Sequence, residues 1–154
     1  MVRPVVVRDE AGQAGGLEAI VFGLLTFVVG VLLAANAWAV VDAKMAMSAA
    51  AREATRAYVE APEGSDPMAR AEAAAREAVR GHGRDPDRME LRALESGFAR
   101  CQVVRFEARY QVPAVGLPFI GGGGAGFTAA ARHAEVVDPY RDGVPSATER
   151  CDRG

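Results

Sequence analysis

Few side chains in this sequence are placed to do chemistry, and spacing decides what each can do. His133 and Glu135 lie two apart in "FTAAARHAEVV", so on a strand they point the same way and offer two metal ligands. Two ligands do not make a site. His82 belongs to a distant polar loop and no third partner is in view, so both are read as surface residues and no metal is expected. The run "GGGGAG" contains a formal G-x-G-x-x-G at Gly121, Gly123 and Gly126. A dinucleotide site needs that turn to join a strand to a helix, and the residues that follow read as strand. No Lys followed by Ser or Thr completes a P-loop, no serine sits in a nucleophile elbow, and neither cysteine has an evident histidine base. Cys101 and Cys151 also lack the C-x-x-C spacing of a zinc or redox pair. The chain is therefore expected to be non-catalytic, with no cofactor and no small-molecule substrate.

One charge remains to be explained. In "QAGGLEAIVFGLLTFVVG" a single carboxylate, Glu18, stands at the start of the most apolar run in the chain. Residues 19–41 carry no charge over 23 positions, and a helix of that length covers about 34 Å against about 30 Å of hydrocarbon. Thirteen of the positions are Leu, Ile, Val or Phe; together they favour insertion by roughly 4 to 8 kcal/mol. The run is longer than the apolar core of a cleaved secretory signal, although "NAWA" has small residues around Trp38 as a signal cut site does. It is also too apolar for a domain this small to surround on all sides. A single transmembrane helix is expected, with Trp38 in the interfacial belt and Asp42 and Lys44 marking the exit into water. Arg3 and Arg8 before the helix oppose Lys44, Arg52 and Arg56 after it, so charge alone leaves the orientation open. Small residues four apart, Ala19 with Gly23 and Gly30 with Ala34, suit close approach of another membrane helix.

Beyond the apolar run the 154-residue chain has room for one domain. Its formal charge of −2 gives no basic field, so a nucleic-acid partner is not expected. "AKMAMSAAAREATRAYVEA" continues the helix to about Glu60, with Met47, Ala51, Ala54 and Tyr58 on one face and Lys44, Ser48, Arg52 and Arg56 on another. "PEGSDP" breaks the chain, and Asp66 before Pro67 caps a second helix over 67–80 whose stripe is Met68, Ala71, Ala75 and Val79, stopped by Gly81. From Met89 the period becomes two. "CQVVRFEARYQV" sets Val104, Phe106, Ala108, Tyr110 and Val112 opposite Arg105, Glu107 and Arg109, and "FTAAARHAEVV" is a weaker third strand. "PAVGLPFIGGGGAG" between them is expected as a flexible hairpin loop, with a partner-contact tip at Phe119 and Ile120 as the alternative reading. The expected class is α+β: a long N-terminal helix, a second helix and a small antiparallel sheet of about three strands. The expected divisions are a leader 1–18, a transmembrane helix 19–41, a domain 42–138 and an irregular tail 139–154.

The arrangement in "RDEAGQAGGLEAIVFGLLTFVVGVL", a short charged leader, glycines, a glutamate and a long apolar helix, resembles the N-terminus of type IV pilin-like proteins. It is most similar to the TadE-like pilus-assembly proteins (pseudopilins) of the tight-adherence, or Flp, system. The "AREATRAYVEA" stretch and the closing pattern of "VP...LPF", a glycine-rich loop and "ARHAEVVDPYR" resemble actinobacterial members of that family. The resemblance implies a cytoplasmic leader, an extracytoplasmic domain, and partners among the lipid bilayer, other pilin-like subunits, pilus-assembly membrane proteins and a prepilin peptidase. In such families the peptidase cuts after a glycine and the glutamate is the fifth mature residue. Here a cut after Gly12 makes Glu18 the sixth and a cut after Gln13 makes it the fifth; Gly15 or Gly16 are further choices, and a chain left unprocessed is the remaining alternative. A carboxylate at the bilayer edge is costly alone and cheaper beside a neighbour's α-amino group. In an oxidising compartment Cys101 and Cys151 would form a disulfide closing a loop of about 50 residues, which adds roughly 4 kcal/mol. The competing expectation is an anchored extracytoplasmic binding or sensing module unrelated to pili, in which Glu18 is merely interfacial.

Overall fold

The computed structural model describes residues 11–113 and 126–145. Helix α1, Ala11–Val59, runs unbroken from before Glu18 through the apolar run and on into the domain. Its 49 residues reach about 74 Å. Continuity follows from composition, because residues 31–61 contain neither Gly nor Pro and are rich in Ala. The end is equally local. The amides of Glu60 and Ala61 fold back on the carbonyls of Arg56 and Tyr58, and Pro62 forbids another turn.

Helix α2, Pro67–Gly81, begins as the sequence predicts: the Asp66 carboxylate accepts from the amides of Met68 and Ala69 at 2.9 and 3.3 Å, with proline in the first turn. Its stop differs from the sequence reading. Gly81 is the last helical residue, and the left-handed position is taken by Gly83, φ +68°, whose amide donates to the Arg80 carbonyl. Ala71, Ala75 and Val79 are buried, whereas Met68, at the open end of the stripe, stays exposed.

After a single 3₁₀ turn at Pro86–Arg88, three strands form an antiparallel sheet in chain order: β1 Met89–Ser96, β2 Val103–Val112 and β3 Phe127–Val136. The fold is thus α+β. The central strand alternates as expected, with Val104, Phe106, Ala108, Tyr110 and Val112 all buried. Edge strand β1 is mostly exposed and carries a register shift between Ala93 and Glu95.

The core lies where the lower half of α1 meets both α2 and the inner face of the sheet. Ala43, Ala46, Met47, Ala50, Ala51 and Ala54 are wholly buried, so the helix is apolar on two sides here instead of one stripe. Small side chains let three elements approach one helix closely, and β3 turns Ala129 and Ala131 toward the same core. Thr55, buried beside them, donates its hydroxyl back to the Ala51 carbonyl at 2.6 Å. At the far end Tyr58 meets Phe98 and Phe106 edge-on, with centroids 5.6 and 5.5 Å away, and its hydroxyl donates to the Ser96 carbonyl. Burial raises the Tyr58 pKa, and nearby Asp66 adds to the shift.

Candidate functional site

The feature that separates this chain from an ordinary small domain is the upper half of α1. From Ile20 to Val41 all its large apolar side chains but the half-buried Leu32 and Val40 stand exposed, with Phe22 at 72% and Trp38 at 75% of full accessibility. No residue of the most apolar window is buried in the structure. A helix buried in a soluble core would show the reverse. By length and composition this helix is able to cross a membrane. The one amide side chain inside it is accommodated, because Asn36 donates to the Leu32 carbonyl at 2.8 Å.

Glu18 is exposed and helical, two residues before the exposed apolar surface begins at Ile20. Gly12 and Gln13 lie in the first turns of the same helix. An added Cβ at Gly23 or Gly30 would meet nothing within 4 Å, so both present open backbone on the helix surface. What these positions can do chemically is limited to charge pairing and helix packing.

At the other end of the apolar run the domain is fastened to α1 by a group the sequence reading missed. Arg84, following the left-handed Gly83, reaches back to α1 and donates to Asp42 at 2.7 Å and to the Ala39 carbonyl at 3.1 Å. Its guanidinium lies 5.3 Å from the Tyr110 ring centroid, and Arg88 lies 5.5 Å from the same ring. The clamp therefore sits at the level where the charge-free run ends. The signal in sequence was the "HGRDPD" loop, whose arginine has no periodicity to mark it.

The outer face of the sheet holds a second missed feature. Glu107, expected on the solvent side, is only 3% exposed because arginines cover it. Its two oxygens accept from Arg109 and Arg132, each at 2.6 Å, and those hydrogen bonds hold its pKa below the usual carboxylate value. Arg132 is its register partner on β3 and Arg109 follows it by two on β2, so strand pairing supplies both cations. Both carboxylate oxygens are thus engaged by the protein's own arginines.

His133 and Glu135 do share a face of β3, but it is the inner one, since they pair with the buried Phe106 and Val104. Both are half-buried where the sequence reading expects surface residues, and the ring nitrogen lies 3.3 Å from the carboxylate. Among the described residues no group of three or more metal-ligating side chains occurs. A shallow groove of about 380 Å³ lined by Val59, Glu60, Val136, Asp138 and Arg141 gathers no catalytic set, and Arg141 is already committed to the Ala61 carbonyl. Cys101 takes a left-handed φ of 62° in the β1–β2 connection, and its amide donates to the Val137 carbonyl at 2.9 Å. Cys151, Gly121, Gly123, Phe119 and Ile120 lie outside the described residues, as does the segment before Ala11. Gly126 leads directly into β3, so a strand and not a helix follows the glycine run. Comparison of the chain with protein-family models, with curated proteins and with solved structures finds no match.

Proposed function

We propose that this chain is a non-catalytic, single-pass membrane subunit of the TadE-like kind, acting in assembly of a Tad/Flp-type pilus through helix packing and docking of its domain. The observation that carries the reading is the continuous α1, with a carboxylate ahead of its apolar run, no buried residue in the most apolar window and a packed domain on its last turns. An apolar stretch with no buried residue needs lipid or other helices to cover it, and in an assembly of like subunits both are supplied. Glu18 then sits at the inner rim of the bilayer and is neutralised by a neighbour's α-amino group after a prepilin peptidase cuts near Gly12 or Gln13. The domain, 42–138, lies outside the cytoplasm, where Cys101 and Cys151 form a disulfide that ties the tail to the β1–β2 connection. In support, no free cysteine occurs among the described residues.

N-terminal sequencing of the native protein tests the proposal. A start at residues 13–17 supports processing, and Glu18→Ala then lowers incorporation into the assembly while membrane insertion persists. An intact leader, with normal assembly by the Glu18→Ala variant, instead favours an anchored binding or sensing module.

A further inference from the structure

We propose that the membrane-proximal rim of the domain, formed by Arg84, Arg88, Tyr110 and Phe127, rests on the lipid leaflet that α1 leaves, with Arg88 holding a phospholipid phosphate. The inference rests on reading residues 19–41 as a membrane span. Two contacts set the direction of the domain along α1. Tyr58 reaches Ser96 at one end, and Arg84 reaches Ala39 and Asp42 at the other, about 24–28 Å nearer the N-terminus along the helix. Strand β2 therefore heads toward the apolar run, and its last pair, Val112 with Phe127, lies two residues beyond Tyr110.

The exposed members of this rim, Phe127 and Arg88, suit an interface between lipid and water, and Arg84 and Tyr110 support them from within. Phe127 is 48% exposed although it opens the inner face of β3. Tyr110 is buried beneath two guanidinium groups, of which Arg84 is spent on Asp42 and the Ala39 carbonyl. Arg88 is exposed, donates one hydrogen bond to the Gln111 carbonyl, and forms no ion pair among the described residues. The neighbouring carboxylates are occupied: Asp42 by Arg84, Asp87 by Arg76, and Asp85 by capping the 3₁₀ turn. A phosphate approaching from the bilayer thus finds Arg88 with donors to spare. On the opposite side of α1 the exposed Trp38, Val41 and Met45 bracket the level of the clamp over about 10 Å of helix, so apolar groups flank the helix on that side too.

Depth-dependent fluorescence quenching in the full-length chain tests the seat. Phe127→Trp and Tyr140→Trp are each made in a Trp38→Phe background, so that one indole reports. Each is placed in bilayers of phosphatidylcholine with about one-third phosphatidylglycerol, brominated near the headgroup end of the acyl chains. The seated rim predicts strong quenching for Phe127→Trp and none for Tyr140→Trp, which lies by the Ala61 end of the domain. Adding Arg88→Gln lowers the equilibrium constant for the seated position about fivefold, with the quenched fraction falling to match. Equal, weak quenching at both positions overturns the seat, and unchanged quenching in Arg88→Gln overturns the phosphate contact. A chain that never enters the bilayer fails the span itself, an outcome visible before any quenching is read and fatal to the seat as well.

Discussion

Replacing Arg84 by alanine should loosen the domain from α1 more than any other single exposed-loop change. Three interactions are lost together. The bond to the Ala39 carbonyl contributes about 1 kcal/mol, the ion pair with Asp42 about 1 kcal/mol, and the stacking on Tyr110 about 0.5 kcal/mol. The ion-pair figure is kept low because the Asp42 side chain is 45% exposed, even though that of Arg84 is only 15% exposed. The total of about 2.5 kcal/mol corresponds to a fall in Tm of about 10–20 °C for a domain of this size. Thermal unfolding of the full-length chain in detergent micelles, followed by near-ultraviolet circular dichroism, measures it. Arg84→Lys keeps the charge but not the planar fork, so it should recover less than half of the loss. Pairing Arg84→Ala with Asp42→Asn in a double-mutant cycle should return a coupling of about 1 kcal/mol. A Tm within about 2 °C of the unmodified chain, or no coupling in the cycle, refutes the clamp.

Phe106→Ala, at a wholly buried position against Tyr58, should cost about 3–5 kcal/mol and leave the domain largely unfolded in the same assay; a loss below about 1 kcal/mol would show that the aromatic cluster is not the centre of the core. Glu107 supplies a pH signature. Its folded pKa is depressed, so its contribution is fully present above the unfolded carboxylate value of about 4.3 and is lost as pH falls through the lower folded value. The stability difference between the unmodified chain and Glu107→Gln should be constant near neutrality and shrink on acidification below about pH 5; a difference that grows with acid contradicts the assignment. Thiol labelling without reductant, on protein taken from its native compartment, should leave Cys101 and Cys151 unmodified. Two reactive thiols would rule out the bridge.

Periodicity made most of the fold legible. The apolar run, the Asp66 cap before Pro67 and the alternation along β2 each encode a local structure whose physics needs few neighbours, and each stands where the sequence reading put it. The misses have a common cause. Gly81 and Gly83 are equivalent as composition, and only the backbone bonds of Gly83 and Arg84 to the last helical turn decide which residue turns left-handed. The second buried side of α1, Ala43, Ala46 and Ala50, is invisible to a single-stripe reading because alanine is compatible with either solvent or core. Glu107 and Arg84 depend on partners 25 and 42 residues away, which strand register and loop closure bring together. Of the candidate site, the exposure of the apolar helix was predictable. The clamp at its lower end was not.

The central claim is that residues 19–41 lie in lipid, and extraction of native membranes tests it most directly. The untagged full-length chain should remain in the pellet through an alkaline carbonate wash and be released by detergent. Recovery from the carbonate supernatant as a compact monomer would contradict the membrane span, and with it the role given to Glu18.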